Sequence, residues 1–159
     1  MSQDETNNAD IPGVIAPPPL IYAGALAAGL LVNRRYHIPF LPRRLARMLG
    51  WPLVACGLVV GFLGDREMRR AETNTNPYKP ATSVVTGGPF RFTRNPLYLS
   101  MTLIYGGISA LSNALLPVLL LPIVLRLMRR GVIEREERYL ERKFGDEYIE
   151  YKVGTPRWI

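Results

Sequence analysis

Long uncharged stretches separated by arginine-rich connectors constrain this sequence more than any other feature. Because lipid offers no partner for backbone N–H and C=O groups, a stretch of about 17 to 25 apolar residues crosses a bilayer as a helix. We therefore predict an all-α integral membrane helical bundle of about four transmembrane helices, in which the last two form a hairpin. The predicted spans, whose only charged residue is Arg126, cover residues 19–33, 48–64, 96–111 and 114–128.

The basic character of the chain fits the same class. The formal net charge is +7, from 20 Lys and Arg against 13 Asp and Glu. Nucleic-acid-binding proteins are also basic, but they carry that charge on folds without long apolar stretches. Here the arginines flank apolar stretches, where they can meet lipid phosphates. We expect membrane lipids as partners and no nucleic acid.

Cysteine and histidine usage indicates neither a disulfide nor a metal site. The single cysteine, Cys56, lies inside an apolar stretch, where a thiol is expected to serve packing. The single histidine, His37, lies beside Arg34 and Arg35, without Cys, His or carboxylate neighbours at metal-ligand spacing. No metal is expected.

The remaining segments complete one domain. Residues 1–17 are polar, acidic and proline-rich and are predicted to form a disordered tail, followed by a single domain over 18–159. Ile133, Leu140 and Phe144 recur at helical spacing within a charged segment, which predicts an amphipathic helix over 132–144. Gly145 is suited to end that helix, and Asp146 to cap a short turn after it.

The arginines leave the orientation of the chain ambiguous. The first connector and the polar segment 65–94 are both rich in arginine, so the positive-inside rule favours both sides. The uncharged turn around Ser112 is the best candidate for the outside. That choice places the polar segment and the C-terminal helix together in the cytoplasm.

A first candidate site lies where the third span begins. Pro96 suits the first helical position with Asn95 as its N-cap, so free backbone N–H groups would face a docked ligand. Arg94 adds a cation, and together these groups form a plausible carboxylate pocket. The structural alternative is that Asn95 only caps the helix, Arg94 reaches lipid phosphate and Tyr98 belongs to an aromatic belt.

A second candidate site lies on the C-terminal helix. Glu137 falls within the apolar stripe of that helix, and Glu136 shares a face with Leu140. A carboxylate in such a place needs a cation or a polar ligand as partner. The structural alternative is an ion pair with a nearby arginine, for which the candidates are Arg94, Arg129 and Arg130.

The two candidate sites belong to two linked motifs. The first is Thr86-Gly-Gly-Pro-Phe-Arg-Phe-Thr-Arg-Asn-Pro-Leu-Tyr98, and the second is Glu136-Glu-Arg-Tyr-Leu-Glu-Arg-Lys-Phe-Gly-Asp-Glu-Tyr-Ile-Glu-Tyr151. Together they resemble the motifs of the isoprenylcysteine carboxyl methyltransferase and phospholipid methyltransferase superfamily. The resemblance covers about half of the chain, with the order and spacing of the motifs intact. It implies a membrane enzyme that uses S-adenosylmethionine as its cofactor and a lipophilic molecule as methyl acceptor.

The resemblance also implies roles for individual residues. Glu136 would hold the cofactor from the C-terminal helix. The remaining cofactor-binding residues would come from the first motif: Phe90, Asn95, Pro96, Leu97 and Tyr98. Three residues are candidates for catalysis: Arg94 to orient a carboxylate, and Tyr98 or Glu137 to accept a proton from an amine.

Two departures from the family pattern bear on substrate and origin. Asn95 stands where the eukaryotic members have histidine, and this form resembles bacterial branches, which implies the bacterial inner membrane with a cytoplasmic active site. Val132 stands where prenylcysteine enzymes have an arginine thought to meet the substrate carboxylate. The acceptor is therefore left open between a prenylcysteine-like carboxylate and a phospholipid amine, and the oligomeric state is unknown.

Two other functional classes compete with a methyltransferase. Membrane sterol reductases, which use NADPH, have a related C-terminal helical architecture, but this chain lacks an evident basic site for the extra phosphate of that cofactor. A non-catalytic membrane protein that keeps the scaffold is the other alternative, and the missing histidine and arginine are its main support.

Overall fold

The computed structural model describes residues 11–76 and 78–159, and within them the chain is helical without a strand. The all-α prediction is confirmed. A 3₁₀ turn lies at Gly88–Arg91, and a π-helical turn lies at Arg129–Ile133. The helices are α1 (Pro18–Arg35), α2 (Arg43–Arg70), α3 (Pro96–Leu111), α4 (Leu115–Met128), α5 (Glu134–Phe144) and α6 (Asp146–Gly154).

Within the described residues, fewer helices are able to span a membrane by themselves than the sequence predicts. Within the described residues only α2, with 28 residues, is long and apolar enough to cross a bilayer by itself. Helices α3 and α4 have 16 and 14 residues, which is below the usual minimum of about 17. Helix α1 has 18 residues but ends in Arg34 and Arg35. The four-span bundle is therefore not confirmed beyond α2.

Glycines bring α2 and α3 into close contact. A Cβ atom on Gly57 would lie 2.7 Å from Cγ1 of Ile104, and one on Gly61 would lie 2.5 Å from Oγ of Ser100. The Ser100 hydroxyl donates a hydrogen bond to the carbonyl oxygen of Gly57 at 2.7 Å. The small-residue pattern at Gly57 and Gly61 is therefore a helix-packing surface.

The main core lies between α1, α3, α4 and the π-helical turn. Its buried residues are Val14, Tyr22, Tyr105, Val124, Met128, Val132 and Ile133. Val14 belongs to this core, and the amide of the next residue, Ile15, donates to the carbonyl oxygen of Gly131 at 3.2 Å. Packing thus begins before residue 18, because an apolar pair follows the polar start of the chain. Residues 1–10 of the predicted tail, 1–17, lie outside the described residues.

The predicted helix ends are partly correct. Gly145 has a φ of +54° and ends α5, as its position predicts. Asp146, however, is the first residue of α6, and Gly145 takes the N-cap position in its place. The chain turns so sharply between α5 and α6 that one residue serves both helix ends.

Candidate functional site

A cavity opens between the start of α3, helices α5 and α6, and the polar segment that follows α2. It has about 880 Å³ of empty space, part of it open to solvent. All eight predicted site residues line it: Phe90, Arg94, Asn95, Pro96, Leu97, Tyr98, Glu136 and Glu137. The fold thus brings two motifs about forty positions apart in sequence to one cavity.

Glu136 is joined to the start of α3. The Tyr98 hydroxyl donates a hydrogen bond to Oε1 of Glu136 at 2.6 Å. Burial raises the pKa of Glu136 from 4.5 to about 7, and the negative charge of Glu137 adds to the rise, while the hydrogen bond from Tyr98 opposes it. Glu136 can therefore change its protonation state near neutral pH.

Glu137 is buried and is held by two arginines. Arg157 donates from Nε to Oε1 at 2.9 Å and from Nη2 to Oε2 at 2.6 Å, a bidentate pair. Nη1 of Arg94 lies 3.1 Å from Oε1 of Glu137. Of the partners considered from sequence, Arg94 is therefore correct, whereas Arg129 pairs with Glu134. Arg157 is the partner that the sequence did not identify.

Arg94 has unused hydrogen-bonding capacity in the cavity wall. Its side chain is only 9% exposed. Its Nε and Nη1 atoms are buried, and within the described residues neither makes a hydrogen bond, because the contact of Nη1 with Glu137 is an ion pair of poor hydrogen-bond geometry. A guanidinium in this state is suited to receive an anionic ligand, since buried donors without a partner are costly.

Asn95 occupies the N-cap position of α3, but its side chain does not cap the helix. Its Nδ2 atom donates instead to the carbonyl oxygen of Arg157 at 3.0 Å, and the Thr93 hydroxyl donates to the same oxygen at 2.9 Å. The structural alternative in which Asn95 merely caps α3 is therefore wrong. The side chain is drawn to the C-terminal segment because that segment runs alongside residues 93–95.

Helix α6 supplies two cavity residues that the sequence did not single out. The Tyr151 hydroxyl donates to the carbonyl oxygen of Phe90 at 2.7 Å. Tyr148 is buried, and burial, with the charge of Glu137 adding to it, raises the pKa of Tyr148 to about 12, although Arg94 opposes the rise. Spacing could have indicated both residues, since Tyr148 and Tyr151 lie three apart on a helix that directly follows Gly145.

Residues from 73–76 and 79–85, within the polar segment 65–94, line one side of the cavity. The amide of Ala81 donates to the hydroxyl oxygen of Tyr139 on α5 at 3.1 Å. The segment and the C-terminal helix therefore lie on the same side of the bundle, in agreement with the sequence-based topology. In the described parts of the chain, no three His, Cys, Asp or Glu residues are placed to hold a metal ion.

The family that the chain matches consists of membrane-associated methyltransferases, and the two motifs that meet in the cavity lie within the match. The chain belongs to the phospholipid methyltransferase family, which matches residues 45–147, more than half of the chain. The predicted family membership is confirmed. The match includes both motifs up to the start of α6.

Two relatives share parts of the sequence. The chain is 35% identical to the cobalt-zinc-cadmium resistance protein CzcN of Cupriavidus metallidurans over 77 residues, which are 48% of this chain and 35% of that protein. It is 63% identical to an uncharacterized protein of Haemophilus influenzae over 27 residues, which are 17% of this chain and 43% of that protein. The aligned part is thus less than half of either relative. No solved structure matches the chain.

Proposed function

We propose that this protein transfers a methyl group from S-adenosylmethionine to a lipid or lipid-like acceptor in the membrane. One observation carries the proposal: the motif that starts α3 and the carboxylate pair of α5 line a single cavity, joined by the hydrogen bond between Tyr98 and Glu136. Family membership supports methyl transfer as the type of reaction.

The cavity residues fit the chemical groups of the proposed cofactor. S-adenosylmethionine carries a carboxylate, an ammonium group, ribose hydroxyls and an adenine ring. Arg94, whose buried Nε lacks a partner among the described residues, suits the carboxylate. Glu136 suits the hydroxyl or ammonium donors, and Phe90 and Leu97 offer apolar contact to the ring.

When bound, this cofactor supplies a methyl group already activated by its sulfonium charge. The protein must therefore mainly align the acceptor with that methyl group and exclude water. We assign alignment to the walls from α3 and α5, and exclusion of water to residues 73–76 and 79–85 on the side of the cavity.

The acceptor determines whether a proton has to be removed. An ionised carboxylate carries no proton to remove and needs only to be oriented beside the methyl group. An amine must lose a proton as its bond to the methyl carbon forms. Both oxygens of Glu137 accept hydrogen bonds from Arg157, so we assign Glu137 to positioning. We assign proton transfer to Tyr98 and Glu136 together: as the Tyr98 hydroxyl oxygen accepts the amine proton, its own proton passes to the Glu136 carboxylate along their hydrogen bond.

Calorimetry on the full chain in maltoside detergent tests the proposal. We expect saturable heat with S-adenosylmethionine and with S-adenosylhomocysteine, and none with NADPH. Heat with NADPH alone would favour a reductase, and no heat with any of the three, for protein that is folded by circular dichroism, would overturn the proposal.

A matched pair of variants on α5 tests the site itself. Glu136→Gln should weaken the binding of S-adenosylhomocysteine by about tenfold or more, because a charged acceptor in the cavity is lost. Glu141→Gln should bind as the parent does, because Glu141 pairs with Lys152 and does not line the cavity. Equal affinities for the two variants would argue against the assigned site.

A further inference from the structure

A second cavity lies at the end of α4, apart from the candidate active site. It has about 960 Å³ of largely open space and shares no lining residue with the first cavity among the described residues. Its wall consists of Leu125, Arg126, Arg129, Arg130, Glu134 and Trp158. Three of these six residues are arginines, and none of them has a role in the proposed methyl transfer.

The cavity carries an excess of positive charge. Nε of Arg129 pairs with Oε1 of Glu134 at 2.9 Å, which neutralises one arginine. Arg126 and Arg130 are both exposed, and within the described residues neither has an ion-pair partner. They are four positions apart on one helical path, where like charges repel each other. An anion in the cavity would relieve this repulsion.

An apolar stripe leads directly to these arginines. Leu119, Ile123 and Leu127 recur every fourth residue on α4, and they are 60%, 56% and 47% exposed. At 100° per residue, Arg126 and Arg130 continue the face that Leu119 and Ile123 begin. An exposed apolar stripe with cations at its end matches a phospholipid, which has acyl chains below an anionic headgroup.

Trp158 completes the cavity on its other side. It packs against the core that contains Val124 and Met128, so the end of the chain is fixed beside the arginines. Tryptophan is favoured at the level of lipid headgroups because its ring is apolar and its N–H can donate.

We propose that this cavity binds the headgroup phosphate of an anionic phospholipid, held by Arg126 and Arg130, while its acyl chains lie along Leu119, Ile123 and Leu127. The proposal does not depend on the methyltransferase assignment, since it uses a separate cavity and a separate ligand.

The fluorescence of Trp158 provides a direct readout of binding. In a Trp51→Phe background Trp158 is the only tryptophan, because the chain has two. The full chain in maltoside is titrated with short-chain phosphatidylglycerol, with phosphatidylcholine of the same chain length, and with inorganic phosphate. We expect a saturable change with phosphatidylglycerol alone. An equal response to inorganic phosphate would mean that the ligand is a free anion and not a lipid. An equal response to phosphatidylcholine would mean that the cavity does not recognise the headgroup charge. Either result would overturn the proposal.

Two double variants with equal loss of charge locate the site. Arg126→Gln with Arg130→Gln should weaken the phosphatidylglycerol response by about tenfold or more. Arg43→Gln with Arg44→Gln removes two exposed arginines from the start of α2 and should leave it unchanged. Equal weakening in both would show a general charge effect and overturn the proposal. All four arginines are exposed, so folding should persist; if the first pair fails to fold, the single Arg126→Gln variant applies the same test.

Discussion

Glu136 and Glu137 are adjacent in the chain but have different environments. Glu137 is neutralised by a bidentate arginine and a second arginine, so its charge is permanently paired. Glu136 accepts one hydrogen bond from a neutral hydroxyl and otherwise faces the cavity. The first therefore shapes the site, whereas the second can respond to a ligand and to pH.

The raised pKa of Glu136 predicts pH-dependent binding of S-adenosylhomocysteine. With its pKa at about 7, Glu136 is protonated below that value and ionised above it. Only the ionised form can accept hydrogen bonds with both oxygens, so affinity should fall as the pH is lowered through 7. Calorimetry between pH 6 and 8 measures this change. The Glu136→Gln variant should show a flat profile, and an equally steep profile in that variant would assign the titration to another group.

Replacing Arg157 should lower the stability of the protein, although the residue lies near the end of the sequence. Arg157→Met would leave the buried Glu137 with Arg94 as its remaining arginine, so we expect a loss of about 2 kcal/mol in the free energy of unfolding. Arg142→Met removes an exposed arginine from α5 and should change it by less than about 0.5 kcal/mol.

Denaturant unfolding in mixed micelles measures both Arg157 and Arg142 variants. The free energy of unfolding of Arg157→Lys should lie between those of Arg157→Met and Arg142→Met, because lysine keeps the charge but loses the bidentate geometry. If Arg157→Met proves as stable as Arg142→Met, the pair with Glu137 contributes nothing to folding.

At the scale of elements, α2 and α3 form the closest helix pair in the bundle. Gly50 and Gly107 face each other there, and a Cβ on Gly107 would lie 2.8 Å from the carbonyl oxygen of Gly50. Because the obstacles are backbone atoms of Gly50 and Val54 and the stiff β-branched side chain of Val54, the contact cannot adjust by a change of rotamer. This packing fixes the direction in which the start of α3 enters the cavity.

Neighbouring glycines on α3 offer a matched test of that contact. Gly107→Ala should destabilise the protein by about 2 kcal/mol, since the added methyl group would overlap Val54 and Gly50. At Gly106 nothing lies within 4 Å of the added methyl, so Gly106→Ala should be neutral or stabilise by up to about 1 kcal/mol. The midpoint of thermal unfolding in detergent compares the two. Similar midpoints would mean that α2 and α3 can separate at little cost.

At the scale of the whole molecule, the two ends of the bundle are built differently. The candidate active site occupies one end. At the other, the side chain of Asn113 accepts hydrogen bonds from the amides of Phe40 and Leu41 at 3.1 and 3.0 Å and donates to the Leu41 carbonyl oxygen at 2.7 Å. The first connector and the turn after α3 are thus joined at the end of α3 opposite to the site residues.

This separation of the ends predicts the sidedness of the protein in a membrane. In a Cys56→Ala background, a cysteine at Ser112 should react with an impermeant maleimide from outside intact cells. A cysteine at Glu150 should react only after the cells are permeabilised. Both positions are exposed, so access should depend on the bilayer alone. The reverse labelling pattern would show that the orientation is the opposite one. Labelling of both cysteines from the same side would contradict an arrangement that spans the membrane.

Much of the fold was determined by the sequence alone. Uncharged stretches, helix-breaking residues such as Gly145, and the stripe containing Glu137 depend on local periodicity, which short segments retain in any surroundings. The two motifs likewise identified the family and eight of the residues that line the cavity, because their order and spacing are properties of the chain.

The tertiary structure alone decided which groups meet. Arg157 finds Glu137, and the Asn95 side chain finds the Arg157 carbonyl oxygen instead of capping α3, because α6 returns the end of the chain to residues 93–95. Helix lengths also depended on the fold: α3 and α4 keep nearly the bounds of their predicted spans, whereas α2 extends beyond its own at both ends and is, among the described residues, the helix long enough to span a bilayer by itself. Which residues distant in sequence come into contact depends on how the helices pack, and a local sequence pattern does not contain that information.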